Sequence, residues 1–391
     1  MTGANKSAPK LLRLNDFHSP TIEGRNAFDH DPSSLNSIDH KLIERAMTYL
    51  TETLTDNLAL FEDQELIKGD WIFDIVDDNS FNAFASKKQG HNVICLNSGL
   101  VLGLFFIYAR IVQLPGTFPW IRSDAAKTRV LVPFDVIPTS FLDLAALAAE
   151  DIIPPDRQRL ELAQRLWRWS LILIVFHELG HIVHGHVDHL LQDTNSKIFN
   201  EIVGGKVQNK KWYEMRRAQE SQADNLALLF TYLGLQAAVP QLPLWLSAAA
   251  DGAPNKIAYL WSFATATVFT LFATLEGIVN GDRIGTSHPN PFERLAAILC
   301  ADITSRTSEG LAKRREGAMA EAFEAWRDLD KSMANVLQGF QGFFQQEKAI
   351  VPINFQTLTR NYPHYEEWSQ FDRLTPQSSL NWRPLRIAFI S

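Results

Sequence analysis

The chemistry-bearing residues of this chain centre on His177-Glu178-Leu179-Gly180-His181. On a helix, positions i and i+4 share a face, so His177 and His181 can both offer imidazole nitrogen to one cation. Glu178 sits about 100° further round the helix. There it can reach a water held by such a cation without itself being a ligand. Two nitrogen ligands, an open position and a base are what a hydrolytic zinc site requires. The metal lowers the pKa of a water towards about 7 and polarises a carbonyl, while Glu178 takes the proton. The residues before the motif, Leu171 to Phe176, are all apolar, which predicts a buried helix. Buried histidine and glutamate need partners, and a metal ion supplies them.

A catalytic zinc needs a third protein ligand. The motif helix itself provides one in the pattern H-E-x-x-H-x-x-G-x-x-H, but here His184 stands at the glycine position and Val187 at the last. The ligand must come from elsewhere. Glu220-Ser-Gln-Ala-Asp224 again places two carboxylates at i and i+4. Glu220 can close the coordination, and Asp224 can accept the free N–H of a ligating imidazole and fix its tautomer. The plainer alternative for this pair is a solvated helix stripe. His184 and His189 are expected on the helix surface.

Four islands, taken in order, resemble the gluzincin metallopeptidases of the HtpX and CAAX-prenyl-protease type. Asn82-Ala-Phe-Ala with Val93-Ile-Cys-Leu-Asn-Ser-Gly-Leu100 is similar to the family's edge-strand segment and the turn after it. His177 to His181, with His186 five residues on, is similar to the active-site helix; Glu220 to Asp224 matches the third-ligand helix; Ser287-His-Pro-Asn-Pro-Phe-Glu-Arg294 resembles the late His-Pro…Arg segment. The resemblance implies one zinc ion per chain, held by His177, His181 and Glu220, with Glu178 as general base. It implies that Asn82, Ala83, Phe84 and Ala85 pair with an extended peptide by strand addition. It also places His288 and Arg294 near the site, His288 as a donor to the oxyanion or to Asp224. The alternative for His288 is a histidine at a helix start before Pro289. The chain departs from the family in a long interval between Leu100 and His177, containing Pro115, Pro119, Pro133 and Pro138, and in lacking clear multiple membrane spans. The H-E-x-x-H alone is shared with phage-exclusion peptidases that cut a host protein during infection.

The elements that must position these residues are mostly helical. Apolar residues recur at helical spacing from Leu42 to Leu60 (Leu42, Ile43, Ala46, Leu50, Leu54, Leu58). Asp70-Trp-Ile-Phe-Asp-Ile-Val, Asn82-Ala-Phe-Ala and Asn92-Val-Ile-Cys-Leu read as about three strands, with turns at Asp77-Asp78-Asn79 and Gly90. Helices are predicted over 100–112, 141–149, 155–186, 211–233, 242–250, 257–278, 291–304 and 308–346, with one further strand at Val130-Leu-Val. Trp167, Trp169 and Trp261 fall at packing positions, and Cys95 lies inside a strand as a small apolar residue.

Composition bounds the remaining choices. The 391 residues are 46% hydrophobic and 21% charged, which is ordinary globular composition. A net charge of −7 argues against nucleic acid as a partner, since phosphate binding draws on a basic surface. Two cysteines, Cys95 and Cys300, make no disulfide framework. The N-terminus has no apolar stretch of secretory type, so a cytoplasmic location is expected. The one stretch of membrane length is Ile257 to Leu275, uncharged but carrying a serine and four threonines.

The expected fold is α+β and predominantly helical: a zincin-like metallopeptidase domain with a small sheet beside the active-site helix. Residues 1–36 are expected as a flexible lead-in, 37–305 as the zinc metallopeptidase domain with an insertion over 101–155, and 306–391 as a helical C-terminal extension and tail. The expected activity is zinc-dependent hydrolysis of peptide bonds in a protein or peptide. The rivals are an inactive zinc-stabilised interaction module and a membrane-anchored quality-control protease spanning at 257–275.

Overall fold

The computed structural model describes residues 11–17, 21–22, 24–28, 37–63, 70–114, 117–121, 154–189, 198–200 and 254–280, most positions between 219 and 231, and Ala325, Asp328 and Leu329. In chain order the elements are β1 (Leu11–Leu12), β2 (Thr21–Ile22), β3 (Arg25–Asn26), α1 (Ser37–Asp63), β4 (Trp71–Val76), β5 (Ala83–Lys88), β6 (His91–Asn97), α2 (Ser98–Ile111), α3 (Arg157–Val183), β7 (Ile198–Asn200) and α4 (Pro254–Asn280). The fold is mixed α and β, mostly helical, with a small sheet.

Among the described residues that sheet has five strands in the order β1-β4-β6-β5-β7. β4 runs parallel to β1 and β6, whereas β5 is antiparallel to β6 and β7. Both of its faces are covered, which explains why Trp71-Ile-Phe-Asp-Ile-Val is a nearly continuous apolar run and not an alternation. Trp71, Phe73, Ile75, Ala83, Ala85, Ile94 and Leu96 pack with the helices. Their neighbours Ile72, Val76, Phe84, Val93 and Cys95 pack with Leu12, Leu14, Ile22 and Ala27 on the opposite face. Period-two geometry thus sorts one run into two cores. Asp74 lies on that second face, fully buried, and is held by the Arg13 guanidinium at 2.6 Å and the Leu14 N–H at 2.9 Å.

Two local devices set the register. Gln89 and Gly90 adopt positive φ (51° and 86°) between the paired residues Lys88 and His91, the backbone of a two-residue hairpin turn whose twist matches the strands. Because β6 lies between β4 and β5, residues 77–82 must cross over its end. The Asp78 carbonyl accepts from the Gly99 N–H at 2.9 Å and the Ser98 hydroxyl at 3.1 Å, and the Asn82 carbonyl accepts from the Asn97 N–H at 3.0 Å. A Cβ on Gly99 would stand 2.0 Å from the Asn79 carbonyl oxygen. Only glycine allows the crossover to rest on the start of α2.

The helices pack as their apolar spacing requires. α1 buries Leu42, Ile43, Ala46, Met47, Leu50, Leu54 and Leu58, a stripe along one face. α2 is buried at every position from Ser98 to Ile111 and packs on α3. The Trp167 indole N–H donates to the Val101 carbonyl at 2.8 Å, and the Tyr108 hydroxyl contacts Ser170 and donates to the Ala264 carbonyl, joining α2, α3 and α4. Asp156 caps α3 by accepting from the Arg159 N–H at 2.9 Å.

One expectation needs correction. Part of the lead-in read as flexible forms β1, β2 and β3 and walls the second face of the sheet. Residues 101–111, within the interval expected as an insertion, are core helix, as the spacing over 100–112 predicts, because α2 has no polar face to present to water. The stretch 257–275 lies within α4, whose side chains from Tyr259 to Phe272 are buried apart from half-buried Thr270. Among the described residues, the helix long and apolar enough to cross a membrane is α3, and most of its apolar stretch is buried. The expected strand at 130–132, the helices over 141–149, 242–250 and 291–304, and the tail after 329 lie outside the described residues.

Candidate metal centre

The histidine motif occupies the last two turns of α3. Leu171, Leu173, Ile174, Val175 and Phe176 are buried and Ile172 half-buried, so the helix enters the core before it reaches His177. His177, Glu178 and His181 are then 3%, 1% and 1% exposed. The helix stops where a glycine permits it. His184 closes the last turn on the Gly180 carbonyl, and Gly185 takes φ 74° just past the end, the left-handed step that reverses a chain after a helix. That reversal brings His186 back against the final turn, its ring 5.2 Å from that of His181.

A second arm meets this turn. The described residues between 219 and 231 are helical. The Phe230 ring stacks on Phe176 at 5.3 Å. At Gly180 the backbones approach so closely that a Cβ would stand 2.8 Å from Ala223 Cα and 3.1 Å from the Ala223 carbonyl oxygen. The fourth residue of the histidine motif is thus a docking notch for the middle of Glu220-Ser-Gln-Ala-Asp224. Glu220 is fully buried and Asp224 3% exposed.

Docking brings His177, His181 and Glu220 together. His177 Nε2 lies 2.9 Å from His181 Nε2 and 3.2 Å from Glu220 Oε2, and His181 Nε2 lies 3.7 Å from the same oxygen. Ligands of a tetrahedral ion with bonds near 2.1 Å stand about 3.4 Å apart, a value these three distances straddle. The buried cluster can therefore hold a metal ion. The charge arithmetic agrees. Glu178, Glu220 and Asp224 are three buried carboxylates, and each carries a desolvation penalty of several kcal/mol that a divalent cation offsets. The His177 Nδ1–H donates to Asp224 Oδ1 at 2.9 Å, which leaves the His177 Nε2 lone pair facing the cluster.

The remaining expected site residues fall into two groups. His288 and Arg294 lie outside the described residues. Of Asn82, Ala83, Phe84 and Ala85, expected as a pairing edge, Phe84 and Ala85 need correction. Ala83–Lys88 is β5, and Phe84, Ala85 and Ser86 are already paired with β7 on the side away from β6. Phe84 turns to the second face of the sheet, under the Arg25 guanidinium at 5.0 Å. The Asn82 side-chain oxygen accepts from the Ala83 N–H at 3.0 Å. Lys87 pairs with Asp188, tying β5 to the chain just after the motif. His184 is half-buried and stacks on His186, while His189 is exposed. Burial raises the Cys95 thiol well above its ordinary pKa, and the Asp74 charge adds to this, so Cys95 packs without reacting.

Two residues without an expected role reach the cluster. His186 Nδ1 lies 3.0 Å from His181 Nδ1, and His186 Nε2 lies 2.8 Å from Gln222 Oε1. Gly185 after the helix is the sequence signal for the first of them; Gln222 has none. No protein-family model, no curated protein and no solved structure matches the chain.

Proposed function

We propose that this protein is a zinc-dependent endopeptidase with a zincin-like fold, acting on a protein or peptide in the cytoplasm. The observation that carries the reading is the fully buried Glu220 carboxylate placed against two imidazoles from one helix turn. Two nitrogens and one oxygen suit zinc, and three protein ligands are the complement of a hydrolytic site, not of a closed structural one. When bound, zinc supplies Lewis acidity, acidifying a water and polarising a carbonyl.

The chain's own residues do the rest. His177, His181 and Glu220 are the ligands. Glu178, next to a ligand but turned off its face, is the base that takes the proton of the attacking water and returns it to the leaving amine. Asp224 holds the His177 proton on Nδ1. Strand addition of a substrate at Phe84–Ser86 requires release of β7.

The test pairs metal analysis with a proteome-wide cleavage comparison of wild type, Glu178→Gln and Glu220→Ala. Wild type should carry one zinc and cleave. Glu178→Gln should keep the zinc and lose turnover by about 10²–10⁴-fold, and Glu220→Ala should lose both. Zinc binding with no Glu178-dependent cleavage would leave a metal-stabilised interaction module, and no zinc binding would overturn the reading.

A further inference from the structure

We infer that Gln222 and His186 are positioning residues that fix the tautomer of His181 and so keep its Nε2 open towards the metal. The inference rests on the metal-centre reading above and deepens it. Three links run in series: Gln222 Oε1 to His186 Nε2 at 2.8 Å, His186 Nδ1 to His181 Nδ1 at 3.0 Å, and His181 Nε2 to His177 Nε2 at 2.9 Å.

Proton bookkeeping gives the series a direction. An amide oxygen only accepts, so His186 Nε2 carries the proton of the first link. A neutral imidazole has one N–H, which makes His186 Nδ1 an acceptor. The second link then requires His181 Nδ1–H, and the His181 Nε2 lone pair faces that of His177 Nε2, two acceptors 2.9 Å apart that a cation held between them reconciles. The opposite order would end with a proton on His181 Nε2, closing that nitrogen to a cation. His186 is 2% exposed, so water competes little for its nitrogens. Gly185 makes the link possible, because only the chain reversal at φ 74° returns His186 to the helix end.

The two ligand histidines are thus prepared by different devices. Asp224 acts on His177 directly, as a charged acceptor. Gln222 acts on His181 through an intervening imidazole. Both acceptors belong to the five residues that also supply Glu220. Docking this short stretch on Gly180 therefore adds the third ligand and sets both imidazoles in one step.

Chelator competition on the full chain tests this with zinc alone, alongside long-range ¹H–¹⁵N spectra that report imidazole tautomers without turnover. Gln222→Met keeps the length of the side chain and removes the acceptor. It should weaken zinc binding by about 10–100-fold, as loss of an outer partner does, and the metal-free protein should populate both His181 tautomers. Gln222→Glu keeps an acceptor and should bind zinc at least as tightly as wild type, with the Nδ1–H form of His181 dominant. A role in packing alone would make Glu no better than Met, and that result overturns the inference. So does wild-type affinity in Gln222→Met while wild type binds zinc. Wild type that binds no zinc overturns the metal reading and this inference with it.

Discussion

Replacing Gly180 by alanine tests how the two arms of the centre are held in register. The new Cβ would stand 2.8 Å from Ala223 Cα, 3.1 Å from the Ala223 carbonyl oxygen and 3.2 Å from Ala223 Cβ. Carbon atoms in ordinary contact are about 3.5 Å apart or more, so the second arm must retreat by at least about 0.7 Å. The obstacle is backbone and cannot swing aside. Metal–ligand distances tolerate about 0.2 Å, and Glu220 moves with the arm. Overpacking costs about 1–3 kcal/mol, whereas alanine in a helix recovers up to about 1 kcal/mol over glycine. The net loss of metal-free stability is therefore only about 0–2 kcal/mol. Zinc affinity should fall by about tenfold or more, the scale of a disturbed coordination shell. Chelator competition and thermal unfolding of the metal-free protein separate the two effects. Ala223→Gly in the same chain should not restore binding, because it removes the 3.2 Å contact and leaves the 2.8 Å one. Wild-type affinity in Gly180→Ala would show that contact at this notch does not place Glu220.

Asp224→Asn keeps the shape and an acceptor beside His177 but removes the charge; zinc binding should weaken by about tenfold with secondary structure intact, as read by chelator competition and circular dichroism. Gly99→Ala drives a Cβ to 2.0 Å from the Asn79 carbonyl oxygen and should destabilise the fold by about 1–3 kcal/mol or more in urea titrations; an unchanged midpoint would refute the crossover packing. Burial by itself raises the Asp78 carboxyl, but hydrogen bonds from Ser80 and the Arg25 guanidinium outweigh it and hold the pKa below the usual value. A depressed folded pKa stabilises above the ordinary aspartate value near 3.9, and the benefit is lost as pH falls from there through the folded value. The stability gap between wild type and Asp78→Asn should therefore be full at pH 7 and shrink below about pH 4; a gap that grows on acidification refutes the assignment.

What the sequence made legible followed from periodicity. The stripe of α1 and the apolar run of α3 needed only spacing and hydrophobicity. The pairing of Glu220 with Asp224 was visible because both carboxylates fall on one helix face. The sheet's outer strands were not visible, since Leu11–Leu12 and Ile198–Asn200 are too short to carry a pattern, and their pairing is set by β4 and β5. α2 was legible as a helix from its apolar run, whereas its packing on α3 is a contact that no local signal reports. Gln222 was invisible for a different reason: it reaches His186 only after two separate helix segments meet.

The sheet's second face bears on how the chain can be shortened. A fragment beginning at Ser37 would retain His177, His181 and Glu220 and look sufficient on chemical grounds. It would also bare Ile72, Val76, Phe84, Val93 and Cys95 to water, strip the Arg13 and Leu14 partners from Asp74, and leave β4 with an open edge. Greasy, unpaired strands of that kind recruit other chains. The minimal working unit is therefore set by a few unremarkable residues near the N-terminus, which carry no chemistry and keep the molecule from sticking to itself.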